Sequence, residues 1–383
     1  GMPLDDVRAV NYYGTDERNV TPYQQTVKDN IIVPLVERLQ AEVDFDGMSK
    51  AVDDFNASHE TLKKGLALMP VKFGISFNTP KLNQAGALVH VYADGSVHLN
   101  HGGTEMGQGL FTKVAQVVAS VFQIDLDNIK ISATRTDKVP NTSATAASSG
   151  SDLNGMAAFN AANTIKDRMT GVAAEIFDTD ADQVEFRQNR VYAGNESLSF
   201  SELAEQTYNR RVQLSAAGFY STPGLHWDAK SLIGNPFYYF TYGAAIAEVV
   251  IDTLTGESRV LRADMLQDCG NSLNPAIDIG QIEGAFVQGQ GWLTSEELVW
   301  NDRGQLLTHG PSTYKIPGSR DVPPVFNVHI LEDAPNRFPT VFRSKAVGEP
   351  PLMLAISVWL AIRDAVSRTA DHRHFVKLDA PAT

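Results

Sequence analysis

The sequence predicts an α+β protein in which mixed and antiparallel sheets pack with helices. Three observations carry that reading. Apolar residues alternate with polar ones from Val71 onward, hairpin signals stand at 93–96 and 252–256, and helix-period stretches fall among the strands without the regular alternation of a parallel βαβ sheet. With 383 residues, 43% of them hydrophobic, the chain has material for a large core and for more than one domain.

The first 66 residues read as mainly helical. Ile31, Ile32, Leu35, Val36, Leu39 and Val43 recur at helical spacing over 29–43, with Pro34 near the start, where a missing N–H does least harm. A second helix is expected over 49–68 from Val52, Phe55, Leu62 and Leu66. Beyond it, 73–77 and 87–92 alternate as strands, and Ala93-Asp94-Gly95-Ser96 turns the chain into 97–99. Val114, Val117, Val118 and Val121 share one face of a helix over 110–122, and 129–131 reads as a short strand. A second hairpin joins 247–251 to 260–262. Asn274 caps and Pro275 opens a helix running to about 288, and a last long helix is expected from 350 to about 367. The sequence opens directly into helical pattern, as a segment cut from a longer protein would.

Charge and cysteine content narrow the function. Lys and Arg number 32 against 45 Asp and Glu, a formal charge of -13, which argues against a nucleic-acid surface because phosphate binding draws on clustered cations. The lone Cys269 can form no intrachain disulfide and cannot by itself hold an iron–sulfur cluster or a thiolate zinc site. Neither a signal peptide nor a run of about 18 apolar residues stands out, so the expectation is a cytoplasmic chain that does not enter a membrane.

Four segments could carry chemistry. His101-Gly102-Gly103-Thr104-Glu105-Met106-Gly107-Gln108-Gly109 leads into a helix and holds four glycines. Such a loop serves either a sharp structural turn or the close approach of an anionic ligand to free N–H groups. It is neither a Walker A loop nor a dinucleotide fingerprint. Residues 141–152 are small and rich in hydroxyls, which suits either a flexible loop or a phosphate cradle. In the third segment Gly280 and Gly284 share a helical face, open to helix packing or to a ligand beside Gln281. In the fourth, Val347-Gly348-Glu349-Pro350-Pro351, the carboxylate reads either as a helix cap or as a general base held ionised by the helix N-terminal field.

In this order the four segments resemble the molybdopterin-binding subunit of the xanthine dehydrogenase and xanthine oxidase family. Phe73-Gly74-Ile75-Ser76-Phe77, Leu82-Asn83-Gln84-Ala85-Gly86-Ala87, Phe240-Thr241-Tyr242-Gly243, Ser272-Leu273-Asn274-Pro275-Ala276-Ile277-Asp278 and Gly310-Pro311-Ser312-Thr313-Tyr314-Lys315-Ile316-Pro317 extend the resemblance across the chain, as the C-terminal half of that subunit. The resemblance implies the molybdenum-cofactor-binding fold of the xanthine oxidase family. It also implies that 1–66 complete a preceding molybdopterin-binding domain and that 67–383 form a second one.

The implied cofactor is molybdopterin with molybdenum bearing oxo, sulfido and hydroxyl ligands, and the implied reaction is hydroxylation of an electron-poor heterocycle carbon. Glu349 matches the base that takes the hydroxyl proton. Met106, Gly107, Gln108, Thr145, Ser148, Ser149, Gly150, Gln281 and Gly348 match cofactor-binding positions, and Ala147 matches the residue beside the metal and substrate. No direct metal ligand is implied, since the metal is held through the pterin. Phe77 matches one of two phenylalanines that sandwich a purine, with Asn78 beside it at the pocket rim. Asn78, Thr79 and Lys81 depart from the family's Thr-led pattern there.

The family's other substrate phenylalanine, its orienting arginine and glutamate, and a glutamine near the metal belong to the preceding half of the subunit, and 2Fe–2S and FAD to other chains or domains. The expected partners are therefore that preceding half, an iron–sulfur/FAD subunit and a purine such as xanthine or hypoxanthine. An aldehyde or other N-heterocycle hydroxylase of the superfamily, or a non-catalytic assembly or cofactor-storage protein on the same fold, are the rival readings.

Overall fold

The computed structural model describes residues 4–146 and 148–383; Ala147, expected beside the metal and the substrate, lies outside the described residues. Helices α1 (Leu4–Asn11), α2 (Ile32–Val43) and α3 (Phe45–Ser58) come first. α2 buries Ile32, Leu35, Val36 and Leu39, the stripe its spacing predicts. Asp44, in the left-handed conformation, ends α2 and caps α3 by accepting the Gly47 N–H.

The helix expected over 49–68 is corrected. α3 stops at Ser58, and strand β1 (Leu62–Ile75) takes the rest, crossing position 66. Period two wins over helical spacing because both faces of β1 are covered. Leu66 and Leu68 pack with α2 on one side, while Ala67 and Val71 join the core on the other.

The hairpin of β2 (Gln84–Val91) and β3 (Val97–His101), helix α4 (Leu110–Phe122) and strand β4 (Ile129–Ile131) follow as the patterning predicts. Helix α5 (Gly150–Phe177) then runs for 28 residues. A small meander, β5 (Val184–Arg187), β6 (Arg190–Ala193) and β7 (Glu196–Ser199), leads into α6 (Phe200–Asn209), whose start is a capping box of Ser199 and Glu202. Strand β8 (Ser215–Ser221) and the ribbon β9 (His226–Asp228) and β10 (Ile233–Asn235) precede the second long hairpin, β11 (Tyr239–Asp252) and β12 (Ser258–Gln267). Helix α7 (Pro275–Thr294) extends past the expected end near 288, and strand β13 (Val325–Ile330) follows. The final helical stretch opens as a 3-10 turn, Pro350–Ala355, with its two prolines in the first turn, where no intrahelical N–H bond is lost, before α8 (Ile356–Arg368).

The architecture is α+β, with mixed and antiparallel sheets packed with helices. One sheet has the order β4-β3-β2-β8 and is covered by α4 and α5; the other has the order β1-β11-β12-β13, with α7 and α8 on one face and α2 on the opposite one. The β12–β13 and β3–β4 pairs are parallel and the other pairs in these two sheets antiparallel. Alternate residues of β11 serve the two faces: Phe240, Tyr242, Ala244 and Ile246 toward α2, Ala245, Ala247 and Val249 toward α8. That is why the strand reads as a continuous apolar run.

Close packing depends on small residues. A Cβ on Gly65 would stand 2.1 Å from the Ala361 carbonyl oxygen of α8, and one on Gly218 would stand 2.0 Å from that of Ala157 in α5. The stretch 350–368 is long and apolar enough to cross a membrane by length and composition, yet Val358, Ala361, Ile362 and Ala365 lie in the core over β1 and β11.

Candidate functional site

Four chain segments meet at one cavity of about 400 Å³: the loop before α4, the loop before α5, the first turns of α7, and the loop 345–349. Its lining includes Met106, Gln108, Thr145, Ser148, Gly150, Gln281, Gly348 and Glu349, eight of the positions read from sequence. Tertiary contacts hold these segments together. The Thr104 N–H donates to Thr145 Oγ1 at 2.9 Å, joining the first two loops. Gly109 has φ of 76°, and a Cβ there would approach Ile277 at 2.8 Å, so α7 can lie against the start of α4 only because this residue is glycine.

The glycine-rich loop is a sharp structural turn, one of its two sequence readings: Gly107 and Gly109 take φ of 96° and 76°. The Glu105 carboxylate accepts the N–H groups of Gly107 (2.8 Å), Gly109 (3.0 Å) and Phe111 (2.9 Å), so the protein itself provides the anion at the start of α4. Burial opposes ionisation of Glu105, but these backbone bonds outweigh it and hold its carboxyl below the usual value. Gly107 sits at the loop tip and does not line the cavity. Gln108 lines it while bonding within its own loop, accepting from Met106 N at 2.5 Å and donating to the Thr104 carbonyl at 2.8 Å. His101, behind the loop, accepts the Gly103 N–H on Nδ1 at 3.1 Å, and burial lowers its pKa to about 4.

Glu349 precedes the 3-10 turn, but its carboxylate makes no cap hydrogen bond to it, which removes the capping role. The exposed side chain meets Ser148 instead. Ser148 Oγ accepts the Glu349 N–H at 2.5 Å and donates to Glu349 Oε2 at 3.2 Å. Ser148 has φ of 56°, an uncommon conformation for a non-glycine residue, and Gly348 lets it approach: a Cβ there would lie 3.1 Å from Ser148 Oγ. Ser149 is buried and donates to the Ala146 carbonyl at 3.1 Å, so it braces the loop from behind and does not line the cavity.

On α7, Gly280 and Gly284 have nothing within 4 Å of an added Cβ, so of the two readings left open for this face close helix packing within the described chain drops out; Gly289 and Gly291 hold the tight contacts. Phe77 and Asn78 stand outside the cavity lining. Asn83 clamps Phe77, accepting its N–H at 2.8 Å and donating to its carbonyl at 2.9 Å.

Several residues at or behind the cavity were given no role from sequence, although Asp152, Ser272 and Asp278 fall within the segments singled out there. Lys113 of α4 pairs with Asp278 of α7 across the cavity floor, and Ser272 Oγ donates to the same carboxylate at 2.5 Å. Lys345 Nζ bonds Asp268 at 2.6 Å and the Phe240 carbonyl at 3.0 Å. Asp152 of α5 accepts from the Tyr239 hydroxyl at 2.7 Å. Apart from Ser272 and Asp278, six residues apart, each pair joins residues far apart in sequence, so only the fold reveals it. Burial raises the Asp152 carboxyl to about 7, against the opposing pull of Tyr239 and Lys113.

Residues 38–323 match the family described as the molybdopterin cofactor-binding domain. Over 389 residues the chain is 45% identical to the xanthine dehydrogenase of Dictyostelium discoideum, covering 100% of this chain and 27% of that protein. It is 47% identical to the xanthine dehydrogenase of Oryza sativa subsp. japonica, with 99% and 27% covered. The chain thus spans about a quarter of the length of these curated relatives. Among solved structures, the reconstituted CO dehydrogenase of Oligotropha carboxidovorans shares the fold with a TM-score of 0.85 at 20% identity, over 100% of this chain and 48% of that one. Quinoline 2-oxidoreductase of Pseudomonas putida 86 shares it with a TM-score of 0.81 at 22% identity, over 94% and 46%. With three quarters of its length matched to the family and its full length similar to xanthine dehydrogenases, this chain belongs to the molybdopterin cofactor-binding domain family.

Proposed function

We propose that this chain is the C-terminal part of the molybdopterin-binding region of a xanthine dehydrogenase, acting on hypoxanthine and xanthine, with Glu349 as the general base. The observation that carries this reading is the Glu349 carboxylate, free of any capping bond and lining a cavity walled by Gln108, Gln281, Thr145 and Ser148. The two carboxamides and two hydroxyls offer mixed donors and acceptors of the kind a pterin edge needs. Among the described residues no group of three His, Cys, Asp or Glu could hold a metal ion.

Bound at this cavity, molybdopterin with an oxo- and sulfido-ligated molybdenum would supply the two-electron oxidation. The chain's own part is to bind and to move a proton. Gln108, Gln281, Thr145, Ser148 and Gly150 at the start of α5 would hold the cofactor, together with Met106, all of which line the cavity. Glu349 takes the proton at its carboxylate, with Oε2 oriented by Ser148. Phe77 and Asn78, outside this cavity, are read as the edge of a substrate pocket completed by the preceding half of the subunit. The remaining assembly is an iron–sulfur/FAD portion passing electrons from 2Fe–2S through FAD to NAD, in the cytoplasm. The helical start is read as the margin of the preceding domain; because β1 crosses position 66, the boundary is best drawn at the turn before Leu62.

The test is the complete enzyme assayed with xanthine against an aromatic aldehyde, alongside Glu349→Gln. Preference for xanthine, and a loss of about 10²–10⁴-fold in turnover in the variant with molybdenum retained, are expected. Preference for the aldehyde would overturn the substrate, and full activity in the variant would overturn the role of Glu349.

A further inference from the structure

We propose that Tyr239 is a positioning residue for Glu349, acting through the backbone of Ala346 and anchored in turn by Asp152. The inference rests on the reading of Glu349 as the base. The Tyr239 hydroxyl accepts the Ala346 N–H at 2.8 Å and donates to Asp152 Oδ2 at 2.7 Å. Ala346 stands three residues before Glu349, and Asp152 four residues after Ser148. The loop carrying the base and the segment carrying Ser148 are therefore tied twice: directly, where Ser148 meets Glu349, and from behind, through Tyr239.

The rear tie is the rigid one. Tyr239 is 1% exposed at the start of β11 and Asp152 is 7% exposed in the first turn of α5, whereas Ser148 and Glu349 meet at the open side of the cavity. A tyrosine in this place spans from strand to helix and leaves one hydroxyl to serve both neighbours. The next peptide is fixed as well, with the Lys345 N–H on the Cys269 carbonyl at 2.8 Å and Lys345 Nζ on Asp268 at 2.6 Å. Lys345 thus ties the loop to Asp268 and Cys269, and Tyr239 ties it to α5. A buried carboxyl beside a buried phenol is a poor way to gain stability. Holding a backbone N–H at a fixed distance from a catalytic loop is a use that fits it, because displacement of a reacting group by about 1 Å costs on the order of 10²-fold in rate.

The experiment compares Tyr239→Phe, Asp152→Ala and Asp152→Asn in the complete enzyme. Turnover per bound molybdenum, KM and amide exchange over 344–349 are read together. Tyr239→Phe and Asp152→Ala are expected to lose about 10- to 100-fold in kcat with KM changed little, molybdenum content kept and exchange at Ala346 accelerated. Asp152→Asn, whose amide oxygen still accepts the tyrosine hydroxyl, should recover most of what Asp152→Ala loses. Unchanged kcat and unchanged exchange in Tyr239→Phe would overturn the proposal, as would losses that merely track lost molybdenum or that Asp152→Asn does not rescue. Should Glu349→Gln turn over normally while Tyr239→Phe still frees the Ala346 amide, the identity of the base fails and the anchoring stands.

Discussion

Ser148 and Glu349, 201 positions apart, share one hydroxyl: Ser148 Oγ accepts the backbone N–H of Glu349 at 2.5 Å and donates to its carboxylate at 3.2 Å. The contact sets the side-chain direction of the proposed base from a second chain segment. Ser148→Ala should therefore lower kcat by about tenfold, a single charge-assisted hydrogen bond, with molybdenum content and melting temperature close to wild type. Steady-state turnover per bound molybdenum checks this, and an unaltered kcat would remove Ser148 from the machinery.

Lys113 and Asp278 form a buried ion pair that pins α7 to α4 beneath the cavity. Lys113→Met leaves a buried carboxylate without its cation, and a destabilisation of about 3–5 kcal/mol is expected, together with loss of cofactor. The double variant Lys113→Met/Asp278→Leu should regain most of the stability, since the pair's desolvation is removed with it. Urea midpoints of the single and double variants measure the difference.

Asp152 makes stability depend on pH from the alkaline side. Its carboxyl titrates at about 7 in the folded chain against an ordinary 3.8, so between those values the folded state holds a proton that the unfolded state has released. Stability contributed by this group accordingly falls as pH rises from about 4 to about 7 and is level above. Asp152→Asn should remove that slope, which shows as a gain in melting temperature at pH 8 that is absent at pH 4.

His101 works from the acid side. Burial brings it to about 4 from an ordinary 6.5, so below 6.5 the unfolded chain takes up a proton that the folded chain refuses. Stability due to His101 is complete above 6.5 and is lost as pH falls toward 4. Denaturation midpoints for wild type and His101→Gln at pH 7.5 and 5 should converge at the lower pH.

Local patterns identified most elements well. Helix α4 and strand β4 match their expected spans, and the Val114, Val117, Val118 and Val121 stripe from which α4 was read is buried. The Asn274 cap holds as read, with its side chain accepting the Ile277 N–H at 3.1 Å. Strand β1 departs from its reading, since a strand buried on both faces shows no alternation and its leucines mimic helical spacing, and β5 to β10, α6 and β13 had no reading at all. At the site, Gln108, Thr145, Gln281 and Glu349, picked out from their motifs, line one cavity. Ser149 was assigned to the same surface and turns out to brace the loop, because sequence gives a hydroxyl's position but not its direction.

The sequence by itself determined which segments are strands and helices in most of the chain, the family, and the carboxylate that stands between glycine and two prolines. Tertiary structure alone decided that this carboxylate meets Ser148 and caps nothing, and that Lys113, Asp152, Tyr239 and Lys345 support the site. The reason is physical: secondary structure follows from the spacing of neighbours along the chain, whereas hydrogen bonds between buried polar groups join residues tens to hundreds of positions apart, and no local pattern records which donor meets which acceptor.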